Sequence, residues 1–547
     1  METEQLENFN ERLSQWVANQ GFWFQVRYSL SGSGMKGRAM FHLLRLGFRV
    51  LMFLVFLAVV AWIYLMKRTD SEGFVEGMRE ELQSGLSASD MELRGFSRVQ
   101  GQLEISRLAA EGGNETFFTS LEARNVRCKM GLLDGLTATW NPGIVTMAKL
   151  DLDLRAGTDD ADSAHKLAES IFRKPGKVHA NAFDVASASL RWGYSERTQG
   201  AIEGSNMKMQ RVESGWRMSF KGGMFYQNWL RGLQIVEITA LCQPDGIVFE
   251  TAKLKDGQGT VDFSGLRVSG GERPQVQGVA KIRRLSLERI LPVAVRNFVE
   301  GSISGDFRVF GSTNSSDGIG FDGQVVMDGD DLISLRERIH ILKALSVVDY
   351  SRNYHRIDFR EGSFQMKTVS GGMELSDVKL AAEDLFSLEG NLTVRLPTQE
   401  EIQAAVAKGS GLGGSPIFSD SDVSAEDREL PQTKSDFSLK RAALEAKRVK
   451  EGQQSPDSLN LFDRLGLSFE MRQLQNQASD RMSRMLQYEG EFLITIPHDA
   501  FERAGHLQKL YPVDPTTNRV PIRVPIEGHL YELTLKQAED IYQQGRR

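Results

Sequence analysis

The histidines are the first residues to test for chemistry, because imidazole binds metal ions and transfers protons near neutral pH. None of the eight histidines has the H-E-x-x-H spacing, or another close spacing, that would place two ring nitrogens on one metal ion. They are scattered along the 547 residues: His42, His165, His179, His340, His355, His498, His506 and His529. We therefore expect surface or structural histidines, and neither a metal site nor any other cofactor.

Nucleophiles and acids also lack the partners that catalysis needs. The chain contains no G-x-S-x-G motif, and the glycine-rich residues 33–37 lack the order of a phosphate-binding loop. Adjacent aspartates at 159–160 and 330–331 are typical of turns or helix N-termini, since no nucleophile accompanies them. The sequence predicts that the protein is not an enzyme.

Cysteine content and net charge narrow the class of protein further. Cys128 and Cys242 are the two cysteines, so they either form one disulfide or remain as two buried thiols. Lys and Arg total 66 against 72 Asp and Glu, a net charge of -6. Such a chain has no overall attraction to polyanions, and we expect no nucleic-acid partner.

One segment has the composition of a membrane anchor. An uncharged run begins at Val50 and ends at Met66. With the residues before it, and with Arg49 extending towards the headgroups, its helical length approaches the ~30 Å of a bilayer core. A buried soluble helix and a cleaved signal peptide are the alternatives. We predict one transmembrane helix at residues 46–68.

The charges beside this segment predict its orientation. The basic residues before it are Arg27, Lys36, Arg38, Arg45 and Arg49, whereas those after it lie among more numerous acids. Basic residues favour the cytoplasmic side, so residues 1–45 form a predicted cytoplasmic arm and the rest is exported, in a bacterium to the periplasm. An amphipathic helix is expected at about residues 4–20. The aromatic residues 22–24 after it suit either the membrane interface or a cytoplasmic partner.

The exported part is predicted to be mainly β. Residues 86–396 contain short alternating segments, such as Leu150, Leu152 and Leu154, separated by turn residues. One face of such strands is apolar and the other polar, which favours an elongated, twisted antiparallel sheet or groove with interspersed helices. Glycine-centred units at 143–150, 246–254 and 372–380 suggest a repeated hairpin. We divide this part into a β-rich region at 70–230 and a second β region at 231–397.

Helices and a flexible segment interrupt the predicted strands. Apolar spacing predicts helices at 159–173, at 285–299 with a kink at Pro292, and at 332–345. Residues 398–436 are rich in Gly, Ser, Asp and Glu and are predicted to be a flexible insertion. Residues 437–547 are predicted to hold a helical segment and the closing strands. Pro521 and Pro525 place the last strand at a sheet edge, because proline donates no ladder hydrogen bond.

Two stretches resemble a known family. Residues 299–311, VEGSISGDFRVFG, and residues 520–533, VPIRVPIEGHLYEL, resemble strand motifs of the AsmA-like superfamily, which includes TamB-type and chorein-type bridge-like lipid-transfer proteins. The resemblance extends over residues 230–396 and 490–535. It implies a sheet curled into a groove with an apolar floor, and a role in lipid movement or in envelope and outer-membrane assembly.

Lipid carriage needs side chains that face the acyl chains. The groove candidates are Phe364, Met366, Leu392, Val394, Ile494 and Ile496, although ordinary core packing gives the same alternation. We expect phospholipid acyl chains as ligands, the inner membrane as the location and envelope proteins as further partners. The alternative is a membrane-anchored adaptor that recruits envelope proteins and moves no lipid.

Overall fold

The computed structural model describes most of the chain, in segments. The described residues are 2–30, 35–68, 71–113, 116–131, 134, 140–155, 178–193, 200–227, 230–270, 274–292, 294–313, 318–327, 329–349, 351–369, 372–398, 400–401, 486–530 and 532–545. They form two compact units, residues 1–75 and residues 76–547. The predicted helix at 159–173, nearly all of the predicted insertion at 398–436 and the helical segment predicted before residue 486 lie outside the described residues.

The N-terminal unit is helical. Helix α1 covers Glu2–Ala18 and helix α2 covers Phe22–Leu30, joined by an edge-to-face contact of the Trp16 and Phe24 rings at 5.4 Å. The structure has a helix, α1, where one was predicted at about residues 4–20. Helix α2 was not predicted, because the aromatic residues 22–24 were interpreted only as a contact with the membrane interface or with a partner.

Helix α3 contains the predicted anchor. It covers Met35–Arg68, and its part from Arg45 to Tyr64 is long and apolar enough to cross a membrane, with side chains that the protein does not bury. Val50 lies inside this part, and Met66 lies in the last turns of the helix. The helix begins about eleven residues before the predicted start at 46, because Lys36 and Arg38 do not interrupt helical propensity.

The second unit is mainly β. Its strands are β1 Ala88–Val99, β2 Gln102–Gly112, β3 Phe118–Lys129, β4 Ile144–Leu154, β5 Ala182–Trp192, β6 Gly200–Val212, β7 Gly215–Lys221, β8 Met224–Gln227, β9 Leu230–Gln243, β10 Gly246–Asp256, β11 Gly259–Asp262, β12 Arg267–Ser269, β13 Gln275–Ser286, β14 Val299–Ser312, β15 Ile319–Met327, β16 Leu332–Arg336, β17 Arg356–Phe359, β18 Glu361–Val369, β19 Gly372–Ala382, β20 Phe386–Arg395, β21 Gln487–Pro497 and β22 Arg519–His529. Among the described residues, the other α-helices are α4 Glu72–Leu86, α5 His340–Val348, α6 Gly505–Leu510 and α7 Leu535–Gly545.

All these strands belong to one 22-stranded sheet that follows the chain order closely. From β1 to β6 each strand pairs with the next; β6 then pairs with β7 and β8, which both pair with β9. Strand β9 pairs with β10, and β10 pairs with both β11 and β12, which in turn pair with β13. Strand β13 pairs with β14, and β14 pairs with β15 and β16. Strand β15 continues to β18 and β16 to β17, and from β18 to β22 each strand pairs with the next. Only β4 and β5 pair in parallel among the described strands.

Two predicted helices are wrong. Residues 285–299 contain the end of β13, two 3-10 turns at Leu287–Arg289 and Val295–Asn297, and the start of β14. Proline at 292 removes a helical donor in the middle of this stretch, so no longer helix forms. Residues 332–345 begin as β16, which pairs with β14 and β17, and only their second half lies in α5. Pairing with neighbouring strands overrides the helical spacing there.

The glycine-centred units are single strands and not hairpins. Gly246 and Gly372 each open a strand, and Gly143 directly precedes one. The Lys-Leu pair at the end of each unit lies in that same strand, not in the next one. The interval from glycine to lysine therefore does not span a hairpin.

Helix α4 closes the first edge of the sheet. Leu82 and Leu86 pack against a core of Met91, Ala110 and Phe118. Arg79 Nη1 donates to the carbonyl of Met91 at 3.1 Å, and Gln83 Nε2 donates to the carbonyl of Ser89 at 3.1 Å. This helix was not predicted, although apolar residues at 74, 78, 82 and 86 have helical spacing.

The opposite end of the sheet is accompanied by a small helical layer. Helices α5 and α7 pack on each other, and Ile341 N donates to Thr534 Oγ1 just before α7 at 3.2 Å. After α5, Arg352 donates to Asp349 and to Asp499, which follows β21. The helical layer is thus tied to the last strands.

Candidate functional site

One face of the sheet carries an apolar row that crosses nearly all the strands. Alternation along each strand puts every second side chain on this face, and pairing aligns them from strand to strand. The row runs Met91–Ala110–Leu121–Leu152–Leu190–Ile202–Phe225–Leu233, then Ile235–Leu254–Val261–Ile282–Gly305–Val325–Phe364, and after a register shift Val378–Gly390–Phe492–Val524. At ~4.8 Å per strand, this row measures about 80 Å along the sheet. We call the face that contains it the apolar face.

The apolar face is buried in the middle of the strands and half-buried along one side. Members of the row such as Leu233, Val325 and Met91 are at most 1% exposed. Towards the strand ends where β6 turns into β7, large apolar side chains on the same face remain half-buried. We call these positions the open rim: Met147, Phe183, Met209, Trp216, Ile247, Val268, Met373 and Val394.

Aromatic rings contribute much of the partly exposed surface. At the open rim, the rings of Phe183 and Trp216 lie 5.9 Å apart. At the other strand ends, Phe225 lies 6.2 Å from both Trp192 and Phe263. Aromatic groups in such tilted contacts offer wide apolar surface with little conformational freedom to lose.

Helices cover only part of the apolar face. Between Ala88 and Ser286 the described residues contain no helix. At the last strands, near α5, α6 and α7, side chains of the apolar face such as Phe386 and Ile522 are at most 1% exposed, and so is Leu507 of α6. Helix α4 packs against the first strands, so the strands from β4 to β12 are the part of the face that the described α-helices leave uncovered.

The six groove candidates all lie on the apolar face. Phe364, Met366, Ile494 and Ile496 are 0 to 8% exposed, whereas Leu392 and Val394 are half-buried. The sheet register brings Met366 and Leu392 together, since both lie opposite Leu375 on β19. Ile494 and Ile496 lie towards the opposite ends of the strands, beside Leu388 and Val520.

The open rim in β4 to β12 was not among the predicted site residues. Its members alternate with polar residues, as Met209 does with Lys208 and Gln210. This period was visible in the sequence, but periodicity does not distinguish a covered side chain from a half-exposed one.

The other face of the sheet carries ion pairs. Glu122 Oε1 accepts from Arg107 at 2.8 Å and from Arg124 at 2.7 Å, and Arg217 pairs with Glu250 at 3.0 Å. Burial alone would raise the pKa of Glu122, but the hydrogen bonds from both guanidinium groups hold it below its usual value. The face with the ion pairs is therefore suited to contact with water, and the apolar face is suited to contact with apolar groups.

Both cysteines lie on the apolar face as free, buried thiols. Burial raises the pKa of Cys128 to about 12 and that of Cys242 to about 11, so neither is a ready nucleophile near neutral pH. Among the described residues, no group of three or more His, Cys, Asp or Glu side chains is placed to hold a metal ion.

No family model, curated protein or solved structure matches this chain. The apolar face, its open rim and the membrane-length helix are therefore the features from which its function has to be argued.

Proposed function

We propose that the protein is a single-pass inner-membrane protein whose exported sheet binds phospholipid acyl chains along its apolar face. In this role it moves or holds lipids during assembly of the cell envelope. The observation that carries the proposal is the apolar row across the strands together with the half-buried Phe, Trp, Met and Ile side chains at the open rim. The resemblance of residues 299–311 to AsmA-like strands supports the same role.

The energetics favour an apolar ligand at the rim. Apolar surface left in water costs roughly 25 cal/mol for each Å², and each methylene that it buries contributes about 0.8 kcal/mol. When a chain of methylenes lies over side chains such as Phe183 and Met209, the surface of the methylenes and the surface of the side chains are both removed from water. Because the contact is non-directional, the chain can slide from strand to strand without breaking specific bonds.

The membrane helix supplies the lipid source in this proposal. Basic residues before the helix favour an N-terminal cytoplasmic arm and an exported sheet. The anchor would keep the apolar face close to the bilayer from which lipids are taken. Residues that act on the lipid do so by contact, and we propose no catalytic step.

Lipid mass spectrometry on the full-length protein, purified in mild detergent, tests the proposal. We expect bound phospholipid in the wild type and a several-fold loss in Val394→Asp and in Met209→Asp, because each change puts a carboxylate among the apolar groups. Gln210→Asp is the matched control, since Gln210 is exposed on the opposite face beside Met209. Circular dichroism verifies that each variant folds. A lipid-free wild type would refute the proposal.

An adaptor function is the second candidate, and burial of the last strands favours it. Phe364, Ile494 and Ile496 are closed off, so that part of the sheet acts as an ordinary core. In-cell crosslinking followed by protein mass spectrometry separates the two functions. Specific envelope proteins on a lipid-free chain would favour the adaptor.

A further inference from the structure

An arginine lies on the apolar face at the open rim. Met207, Met209 and Arg211 alternate on β6, and Arg211 lies opposite Trp216 of β7. Trp216 in turn lies opposite the buried Cys242 of β9. The sheet register therefore places the half-buried Arg211 among apolar neighbours, one residue before the turn-side end of its strand.

The guanidinium group of Arg211 stacks on an aromatic ring. Its central carbon lies 5.6 Å from the centre of the Trp216 ring, and no carboxylate of the described residues pairs with it. The nearby arginine on the opposite face, Arg217, instead pairs with Glu250 at 3.0 Å. Arg211 thus keeps its donors available at the boundary between apolar surface and water.

A cation in this position fits a phosphate group. Guanidinium donors match two oxygens of a phosphate at once, and a tryptophan face fixes the plane of the guanidinium. An acyl chain that lies over Phe183, Met209 and Ile247 would end beside Arg211. A headgroup without negative charge gains little from this arrangement.

We propose that Arg211 and Trp216 bind the phosphate of a glycerophospholipid whose acyl chains occupy the open rim. This rests on the proposed function, and it adds a selection for phosphate-bearing lipids over neutral ones. The rim between β5 and β10 is then the headgroup end of the site, and the apolar row is its acyl end.

Photo-crosslinking of the full-length protein in detergent tests the selection. The two probes carry the same diazirine acyl chains, one as phosphatidylglycerol and one as diacylglycerol. We expect the wild type to label with phosphatidylglycerol about tenfold more than with diacylglycerol, as a charge-assisted phosphate contact implies. Arg211→Ala should reduce phosphatidylglycerol labelling to the diacylglycerol level, and Arg211→Gln should do the same while preserving side-chain volume.

The matched control is Arg217→Ala, which removes an arginine from the adjacent position on the opposite face and should leave both labels unchanged. Circular dichroism verifies folding, and Arg211→Gln serves if the alanine variant does not fold. Equal labelling by both probes, or labelling unaffected by both Arg211 changes, overturns the selection and leaves lipid binding in place. No labelling by either probe overturns lipid binding itself.

Discussion

Ser304 stabilises a point at which the register of the sheet shifts. Its hydroxyl donates to Asp331 Oδ1 at 3.1 Å and accepts from the backbone N–H of Arg284 at 2.9 Å. Arg284 has a left-handed φ of +49° where the register between β13 and β14 shifts. The aspartates at 330–331 were expected at a turn or a helix N-terminus; Asp330 does lie in a turn, and Asp331 is 1% exposed beside this shift.

Replacing Ser304 by alanine should destabilise the sheet. The change removes a donor from a buried carboxylate and leaves the Arg284 N–H without its acceptor, which costs about 1–3 kcal/mol. Urea unfolding of the full-length protein in detergent, followed by circular dichroism, measures the loss. Ser97→Ala on β1 deletes the same hydroxyl away from any buried carboxylate and should change stability by less than about 0.5 kcal/mol. Equal effects of the two changes would contradict this role of Ser304.

The two thiols give a second test at this scale. Because burial raises the pKa of Cys128 and Cys242, both thiols stay protonated and shielded at pH 8. We expect no reaction with a thiol reagent such as DTNB in the native protein, and two thiols per chain after denaturation without reductant. Recovery of no thiols would show that the cysteines are bridged instead.

Among the elements, the strands were more predictable than the helices. Period-two alternation correctly located β4, β20 and β21, because a half-buried strand has little freedom in which side chain faces inward. The helices predicted at 285–299 and 332–345 failed because a short apolar spacing fits both a helix and successive strands and turns. Pairing with strands that are distant in the sequence decides whether a helix or a strand forms, and a local pattern gives no information about that pairing.

The prediction that the last strand lies at a sheet edge was based on the missing backbone donor of proline. Proline was expected at an edge, and β21 is the one described strand that pairs with β22, which also has an isolated bridge from Arg519 to Asp514. Both Pro521 and Pro525 take part in that unbroken register, so their missing donors are not needed by β21. They reduce the number of donors on the side of β22 with which no described strand pairs.

Restoring these donors should promote association. We expect Pro521→Val with Pro525→Val to keep the fold and to increase dimer formation through the free edge of β22. Size-exclusion chromatography with light scattering, over a range of protein concentrations, measures it. Val524→Ala changes the buried side of the same strand and should lower stability without raising association. A double proline variant that stays as monomeric as the wild type would show that other features protect this edge.

The fold class of the whole molecule was predictable, and the state of its apolar face was not. Alternation and turn residues predict a mainly β chain with one membrane-length helix, and the structure has both. Which parts of the face are buried depends on α5, α7 and neighbouring strands, which lie far away in the sequence. The predicted groove residues consequently include both closed positions, such as Ile496, and half-open ones, such as Val394.

Carboxylates across the sheet make its stability depend on pH. Burial acts to raise the pKa of Glu122, Asp358 and Asp499, but arginine partners, and for Asp358 first the hydroxyl of Ser334, hold each pKa below its usual value. A group whose pKa is lowered by folding stabilises the fold above its unfolded pKa of about 4, and this contribution is lost as pH falls through the folded pKa.

We expect thermal stability to be similar at pH 7 and pH 5 and to fall between pH 4 and pH 2. Glu122→Gln should reduce this loss because it removes one of the titrating groups, and at pH 7 it should cost about 1 kcal/mol through its two arginine contacts. Thermal melts by circular dichroism at each pH measure both effects. An unchanged melting temperature down to pH 2 would contradict the role of these ion pairs.

The orientation of the chain decides which lipids the sheet can meet. Residues before the anchor, among them Lys36, Arg38 and Arg45, carry more positive charge than those directly after it, so we expect the C-terminus outside the cytoplasm. In a bacterial host, alkaline phosphatase fused after Arg547 should therefore be active, and green fluorescent protein at the same site should be dark. The same reporters placed before Met1 should give the opposite pattern. Bright green fluorescence at the C-terminus would put the sheet in the cytosol. It would remove the envelope from the proposed function, and the crosslinking experiment would still decide whether the apolar face binds lipid.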